Sequence, residues 1–138
     1  MIVSHEIRVI FGDTDQMGVV YYANYLRFFE SARAHYWRAL GRSYQDLVGW
    51  GVAMPVVEAH CGYKRPAHYE DVLVIETRVS ELRSASLRFA YVVRRQATPA
   101  SEEMTLLAEG YTRHAVIDRT GKPRALPDAL KAMIPPIV

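Results

Sequence analysis

The chain has a single cysteine, Cys61, so an internal disulfide and a CxxC metal site are both excluded. It has no basic run of five or more residues, and its formal net charge is +2, too small to argue for a nucleic-acid surface. No apolar run approaches the length of a membrane span. Internal repeats, low-complexity stretches and linkers are also missing. The start, Met1-Ile2-Val3-Ser4-His5-Glu6-Ile7-Arg8, lacks the basic-then-apolar pattern of a signal peptide, so the cytoplasm is the expected compartment. There is no GxSxG elbow to present a nucleophilic serine. His5, His35, His60, His68 and His114 are scattered, whereas a metal site needs three or four converging ligands. No metal and no cofactor are expected.

What remains is an ordinary globular composition, 50% apolar and 23% charged over 138 residues. Such a length suits one domain, taken as 1–138, that buries roughly two-thirds of its extended-chain surface. Ile7, Val9 and Phe11 alternate with other residues as a first strand would. Tyr22, Leu26, Phe29, Tyr36 and Leu40 follow helical spacing, with Phe28, Ala32 and Ala39 widening the stripe and Gly41 placed to end it. Arg42 to Gly51 reads as a shorter helix or loop. Four strand-like segments follow: Pro55 to Lys64, the alternating Leu73, Ile75, Thr77 and Val79, the alternating Leu87, Phe89, Tyr91 and Val93, and Leu106 to Ile117. Polar, hairpin-like turns separate them, Arg65-Pro66-Ala67 among them. Pro127 to Ile134 reads as a short helix. This order predicts an α+β domain with an antiparallel sheet whose long strands must curl around one helix.

The most informative run is Phe11-Gly12-Asp13-Thr14-Asp15-Gln16-Met17-Gly18-Val19-Val20-Tyr21-Tyr22-Ala23-Asn24-Tyr25. A carboxylate-bearing turn feeds a long helix, so an acidic side chain stands beside a helix N-terminus. Unpaired N–H groups and positive dipole at such an end can hold a developing oxyanion. Asp15 has two readings on spacing alone: a turn or helix cap, or a base or nucleophile held ionised by the helix end. Gly18 suits a positive-φ turn or a close ligand approach. Tyr21, Tyr22 and Tyr25 suit an acyl pocket as well as a core. Glu30, further along the helix, is a rival carboxylate whose bland reading is an ion pair with Arg27 or Arg33. Among the basic residues, Arg65 and Arg83 are the candidates for phosphate contacts.

The pattern Gly12-Asp13-Thr14-Asp15-x-x-Gly18-x-Val20-Tyr21-Tyr22-x-Asn24-Tyr25 resembles the opening motif of the hot-dog-fold acyl-CoA thioesterases, of the 4-hydroxybenzoyl-CoA thioesterase and Tol-Pal-associated type. Glu30-x-Ala32-Arg33, Tyr63-x-Arg65-Pro66-Ala67, Asp71 to Arg83 and Arg124-Ala125-Leu126-Pro127 extend the similarity across the chain. The resemblance implies a five-stranded hot-dog sheet around a central helix. It implies hydrolysis of an acyl-CoA or acyl-carrier thioester, with Asp15 as nucleophile or general base and the Tyr22 N–H polarising the carbonyl. It implies a homodimer or homotetramer with sites between subunits, and the chain carries apolar residues in both strand registers (Val72 and Val74 against Leu73 and Ile75). One departure stands out. Where the benzoyl-specific enzymes carry a basic cluster for the nucleotide phosphates, this chain has Arg83-Ser84-Ala85-Ser86, so coenzyme A and an acyl carrier protein both stay open. Two alternatives remain: a hot-dog hydratase or dehydratase, whose helix-start histidine is lacking in 12–26, and a non-catalytic acyl-CoA-binding or scaffold module, against which the intact Asp15 argues.

Overall fold

The computed structural model describes residues 1–137, apart from the Tyr44 side chain; the last residue of the expected span 1–138 lies outside them. Five strands form one antiparallel sheet: β1 (Val3–Arg8), β2 (Val56–Tyr63), β3 (Val72–Leu82), β4 (Ser86–Arg95) and β5 (Thr105–Ala115), in the order β1-β3-β4-β5-β2. Helix α1 (Asn24–Ala39) lies against the inner face, followed along the chain by a short α2 (Tyr44–Gly49) and, near the end, a four-residue α3 (Asp128–Lys131). This is the expected hot-dog architecture.

The helix forms where the apolar stripe demands it, though the buried face is rotated from the expected one. Tyr25, Phe28, Phe29, Ala32, Tyr36 and Trp37 are buried, whereas Tyr22 and Leu26 are exposed. The cause is the start point: the first helical residue is Asn24, so Tyr22 precedes the helix rather than sharing its core face. Gly41 ends α1 at φ 78°, with Arg42 N–H donating to Trp37 O and Gly41 N–H to Arg38 O, the paired bonds of a Schellman cap.

Leu73, Ile75, Thr77 and Val79 from β3, with Leu87, Phe89, Tyr91 and Val93 from β4, face the helix and are buried. The Phe29 ring stacks on Tyr91 with centroids 4.2 Å apart. Gly110 on β5 permits this, because a Cβ there would meet His60 O at 2.2 Å and the Phe29 ring at 2.8 Å.

Two expectations change. The first strand stops at Arg8, and Phe11 enters a single 3₁₀ turn, 75% exposed, because the Asp13 carboxylate accepts the Ile10 N–H and bends the chain there. The turn at Arg65-Pro66-Ala67 is not a hairpin. β2 sits at the sheet edge with β5 and β4 between it and β3, so residues 64–71 form a crossover. Its backbone bonds go to other elements: Lys64 N–H and Arg65 N–H reach Leu107 O, Ala67 O accepts Val20 N–H, and Glu70 N–H reaches Val9 O. The crossover thereby clamps the loop that carries Asp15. Among the described residues no helix is long and apolar enough to cross a membrane.

Candidate active site

Asp13 holds the site together. It is 4% exposed, its carboxylate accepts the Ile10 N–H at 3.0 Å and pairs with the Arg27 guanidinium, and its carbonyl accepts Tyr21 N–H at 2.9 Å and Asn24 Nδ2 at 2.8 Å. One short, saturated residue thus ties the 3₁₀ turn, the loop and the first turn of α1 into a unit. The loop itself is closed by Asp15 N–H to Val19 O and Gly18 N–H to Asp15 O, both 2.9 Å, with Gly18 at φ 79°. That left-handed backbone strains any side-chain-bearing residue and explains the glycine.

Asp15 is half-buried and has an unused oxygen. Its Oδ1 accepts Met17 N–H at 2.9 Å, while among the described residues its Oδ2 takes no protein donor. The carboxylate lines a cleft of about 290 Å³ shared with Tyr22, Tyr25, Tyr63, Lys64 and Arg65. At the same place the chain enters α1 with two backbone donors open: among the described residues neither Tyr22 N–H nor Ala23 N–H meets an acceptor. The cleft therefore brings Asp15, an electron-pair donor, together with Tyr22, whose amide is able to receive negative charge.

Of the tyrosines expected here, Tyr25 is buried and forms the cleft floor, packed edge-on against Tyr63 at 5.1 Å. Burial pushes its phenol above the ordinary range. Tyr21 and Tyr22 are exposed neighbours, rings 4.6 Å apart, and a hydrogen bond with the Tyr22 hydroxyl holds the Tyr21 phenol high, with the nearby Asp15 charge adding to it. Tyr63 earned no site role from sequence. Yet its hydroxyl donates to Tyr22 O at 2.9 Å, and burial, then the neighbouring Cys61, push its phenol up to about 12. The hydroxyl has one proton to give, and the carbonyl is a far better acceptor than the Cys61 thiol beside it. The available signal was the alternation Ala59, Cys61, Tyr63, which puts all three on the helix side of β2.

The two arginines part company. Arg65 lines the cleft and is exposed. Arg83 sits in the β3–β4 turn, paired with Glu81, at the opposite end of the eleven-residue β3, about 35 Å from the cleft end of the sheet. Glu30 lines a different cavity, of about 380 Å³, with Trp37, Met54, Phe89 and His114. The arginines expected to pair with Glu30 are engaged elsewhere, Arg27 with Asp13 and Arg33 with the Tyr91 hydroxyl. Among the described residues no group of three or more His, Cys, Asp or Glu side chains is placed to hold a metal ion.

Comparison with known proteins places the chain in a family. The profile described as the Thioesterase-like superfamily matches residues 9–134. The chain is 36% identical to the acyl-CoA thioester hydrolase YbgC of Escherichia coli O6:H1, over 91% of this chain and 90% of that one. It is 31% identical to 4-hydroxybenzoyl-CoA thioesterase of Pseudomonas sp. strain CBS-3, over 74% of each chain. A crystal structure of an aspartate-to-asparagine mutant of 4-hydroxybenzoyl CoA thioesterase, complexed with 4-hydroxybenzoyl CoA, superposes with a TM-score of 0.87 at 26% identity, over 97% of this chain and 99% of that one. The chain belongs to the thioesterase-like superfamily of hot-dog proteins.

Proposed function

We propose that this chain is an acyl-CoA thioesterase in which Asp15 supplies the carboxylate and the Tyr22 N–H the oxyanion contact. The observation that carries the reading is the shared cleft: Asp15 and Tyr22, whose amide is open among the described residues, line one cavity. The similarity to named acyl-CoA thioester hydrolases supplies the substrate class.

Attack at the thioester carbonyl carbon moves its π electrons onto oxygen, where the Tyr22 N–H receives the charge. With Asp15 as general base, water adds and its proton passes to the carboxylate. With Asp15 as nucleophile, Oδ2 adds and a mixed anhydride forms, which water then cleaves. In either route the C–S bond breaks, the thiolate leaves and takes a proton, and one water yields one acid and one thiol. A thioester has weak carbonyl resonance, so amide donors are adequate activators.

The reading includes a homodimer. β2 is an edge strand, and Val56 and Val57 on it are exposed at 46% and 60%. An exposed apolar edge is a template for a second chain. A two-fold axis through β2 would pair it antiparallel with its copy and set the cleft end of one chain beside the β3–β4 turn of the other. Arg83, remote from Asp15 in one chain, would then approach the site of the second. That supports coenzyme A as carrier, with Arg65 and Arg83 near its phosphates. Residues 1–138 serve as one catalytic domain. We place it in the cytoplasm, consistent with its single free thiol.

A thiol-release assay across short-chain, long-chain and aromatic acyl-CoAs tests the activity. Turnover of at least one class is expected, and no release above buffer from any would overturn the reading. Light scattering at micromolar concentration should return at least a dimer mass; a monomer would remove the partner from the site.

A further inference from the structure

Two successive peptides at the start of α1 have a bonded carbonyl and an open N–H. The Tyr21 carbonyl accepts Asn24 N–H at 2.9 Å, while the N–H of the same peptide, on Tyr22, is open among the described residues. The Tyr22 carbonyl accepts the Tyr63 hydroxyl at 2.9 Å and, at a longer 3.3 Å, the Tyr25 N–H, while the N–H of that peptide, on Ala23, is open in the same way. Ala23 has helical dihedrals, φ −66° and ψ −23°, so its N–H points along the helix axis as first-turn amides do. A hydrogen bond at a carbonyl draws charge through the amide and makes its N–H a stronger donor.

Tyr63 is well held for this task. Its ring packs edge-on between Tyr22 at 6.4 Å and Tyr25 at 5.1 Å, and it closes β2, anchored by pairing with Ala108. Its raised phenol stays protonated throughout the neutral range, so it remains a donor to the carbonyl.

We infer that Tyr63 is a positioning residue of the oxyanion site: by holding and polarising the Tyr22–Ala23 peptide, it brings the Ala23 N–H in beside the Tyr22 N–H as a second donor to the tetrahedral oxygen. This rests on the thioesterase reading. Tyr63 itself touches no reacting atom. It acts through a peptide whose amide receives charge only when the carbonyl becomes tetrahedral, so it should affect the transition state and leave ground-state binding alone.

The test compares Tyr63→Phe and Tyr63→Ala with the wild-type chain. Tyr63→Phe keeps the ring and removes the hydroxyl. Its kcat should fall about 10-fold with KM unchanged, less than the loss of a direct oxyanion donor. It should also weaken binding of a CoA analogue whose trifluoromethyl ketone forms a tetrahedral adduct, by a similar factor. Binding of an inert thioether analogue, which stays planar at its carbonyl or lacks one, should not change. Tyr63→Ala should lose as much kcat as Tyr63→Phe if the hydroxyl is what matters. Equal kcat in wild type and Tyr63→Phe, or equal weakening of both analogues, would overturn the assignment while leaving the thioesterase reading intact. A wild-type chain that releases no thiol would overturn that reading, and the role of Tyr63 with it.

Discussion

Two polar assemblies lie against α1, and they are built in opposite ways. One runs through the interior. Arg33 donates to the Tyr91 hydroxyl at 3.2 Å, Tyr91 and Thr112 hydroxyls lie 2.6 Å apart, Thr112 meets His114 Nε2 at 2.8 Å, and His114 Nδ1 meets Met54 O at 2.9 Å. A carbonyl only accepts, so His114 must carry its proton on Nδ1, and every donor then points the same way along the chain. The other assembly is at the Asp15 cleft and the start of α1, where a carboxylate oxygen and two amides are left open among the described residues. Saturated polar groups rigidify a core, whereas open ones await a ligand. The difference separates a structural network from a chemical one, although both contain titratable side chains that sequence alone presents as equals.

The sharpest way to break the comparison is Asp15→Asn. Asn keeps an oxygen for the Met17 N–H but has no basicity, so kcat should fall by at least about 100-fold. The urea midpoint should stay near that of the wild type. Retained turnover would move the chemistry away from the open cleft.

Thr112→Val asks the reverse question. Valine fills the same volume and leaves the Tyr91 O–H proton without an acceptor and His114 Nε2 without a donor inside the fold. Stability to urea should drop by about 2 kcal/mol, with kcat within about two-fold of wild type. A large loss of kcat at unchanged stability would mean that the interior network takes part in catalysis.

Acidification should weaken the fold through its histidines. Burial holds His114 below its ordinary range, and burial together with His35 and Arg38 does the same for His5. The unfolded chain, with histidines near about 6.5, then binds more protons than the fold as pH drops below that value. The stabilising contribution is therefore complete above about pH 6.5 and is lost as pH falls through the lowered folded values. Urea midpoints at pH 7.5 and 5.5 should differ in that sense; a flat or rising trend would contradict it.

The smallest expected effect is at Arg65→Ala. The side chain is exposed, so a phosphate contact is partly screened, and KM for acyl-CoA should rise about three-fold at low salt and less at high salt. An acyl-pantetheine, which lacks the nucleotide, should show no change. Equal losses on both would make Arg65 structural.

Local pattern carried much of this molecule. The helix, the strand segments and the left-handed Gly18 and Gly41 follow from spacing and residue chemistry over short range, whereas Asp15 is singled out over a turn or helix cap by the family resemblance. What spacing does not encode is who pairs with whom. Arg65-Pro66-Ala67 has hairpin chemistry, yet Arg65 N–H bonds to Leu107 O on β5 and Ala67 O accepts Val20 N–H from the Asp15 loop, because β2 is drawn to the far edge. That single topological fact puts Tyr63 beside Tyr22 and carries Arg83 to the other end. Periodicity placed Tyr22 and Leu26 on the buried stripe for a related reason, since the helix begins only after Asp13 has fixed the entering chain.

Gly110 has a reach beyond the packing it permits. With no Cβ, it lets Phe29 settle between the β5 backbone and Tyr91, and this fixes the axial register of α1 on the sheet. Sliding the helix by one residue means about 1.5 Å of travel and about 100° of rotation, which would carry that ring off its seat. Gly110 pairs with Cys61, one inward-facing step along β2 from Tyr63 and its partner Ala108. The depth at which the first amides of α1 meet the Tyr63 hydroxyl is thus set by the one position on β5 where a side chain is forbidden.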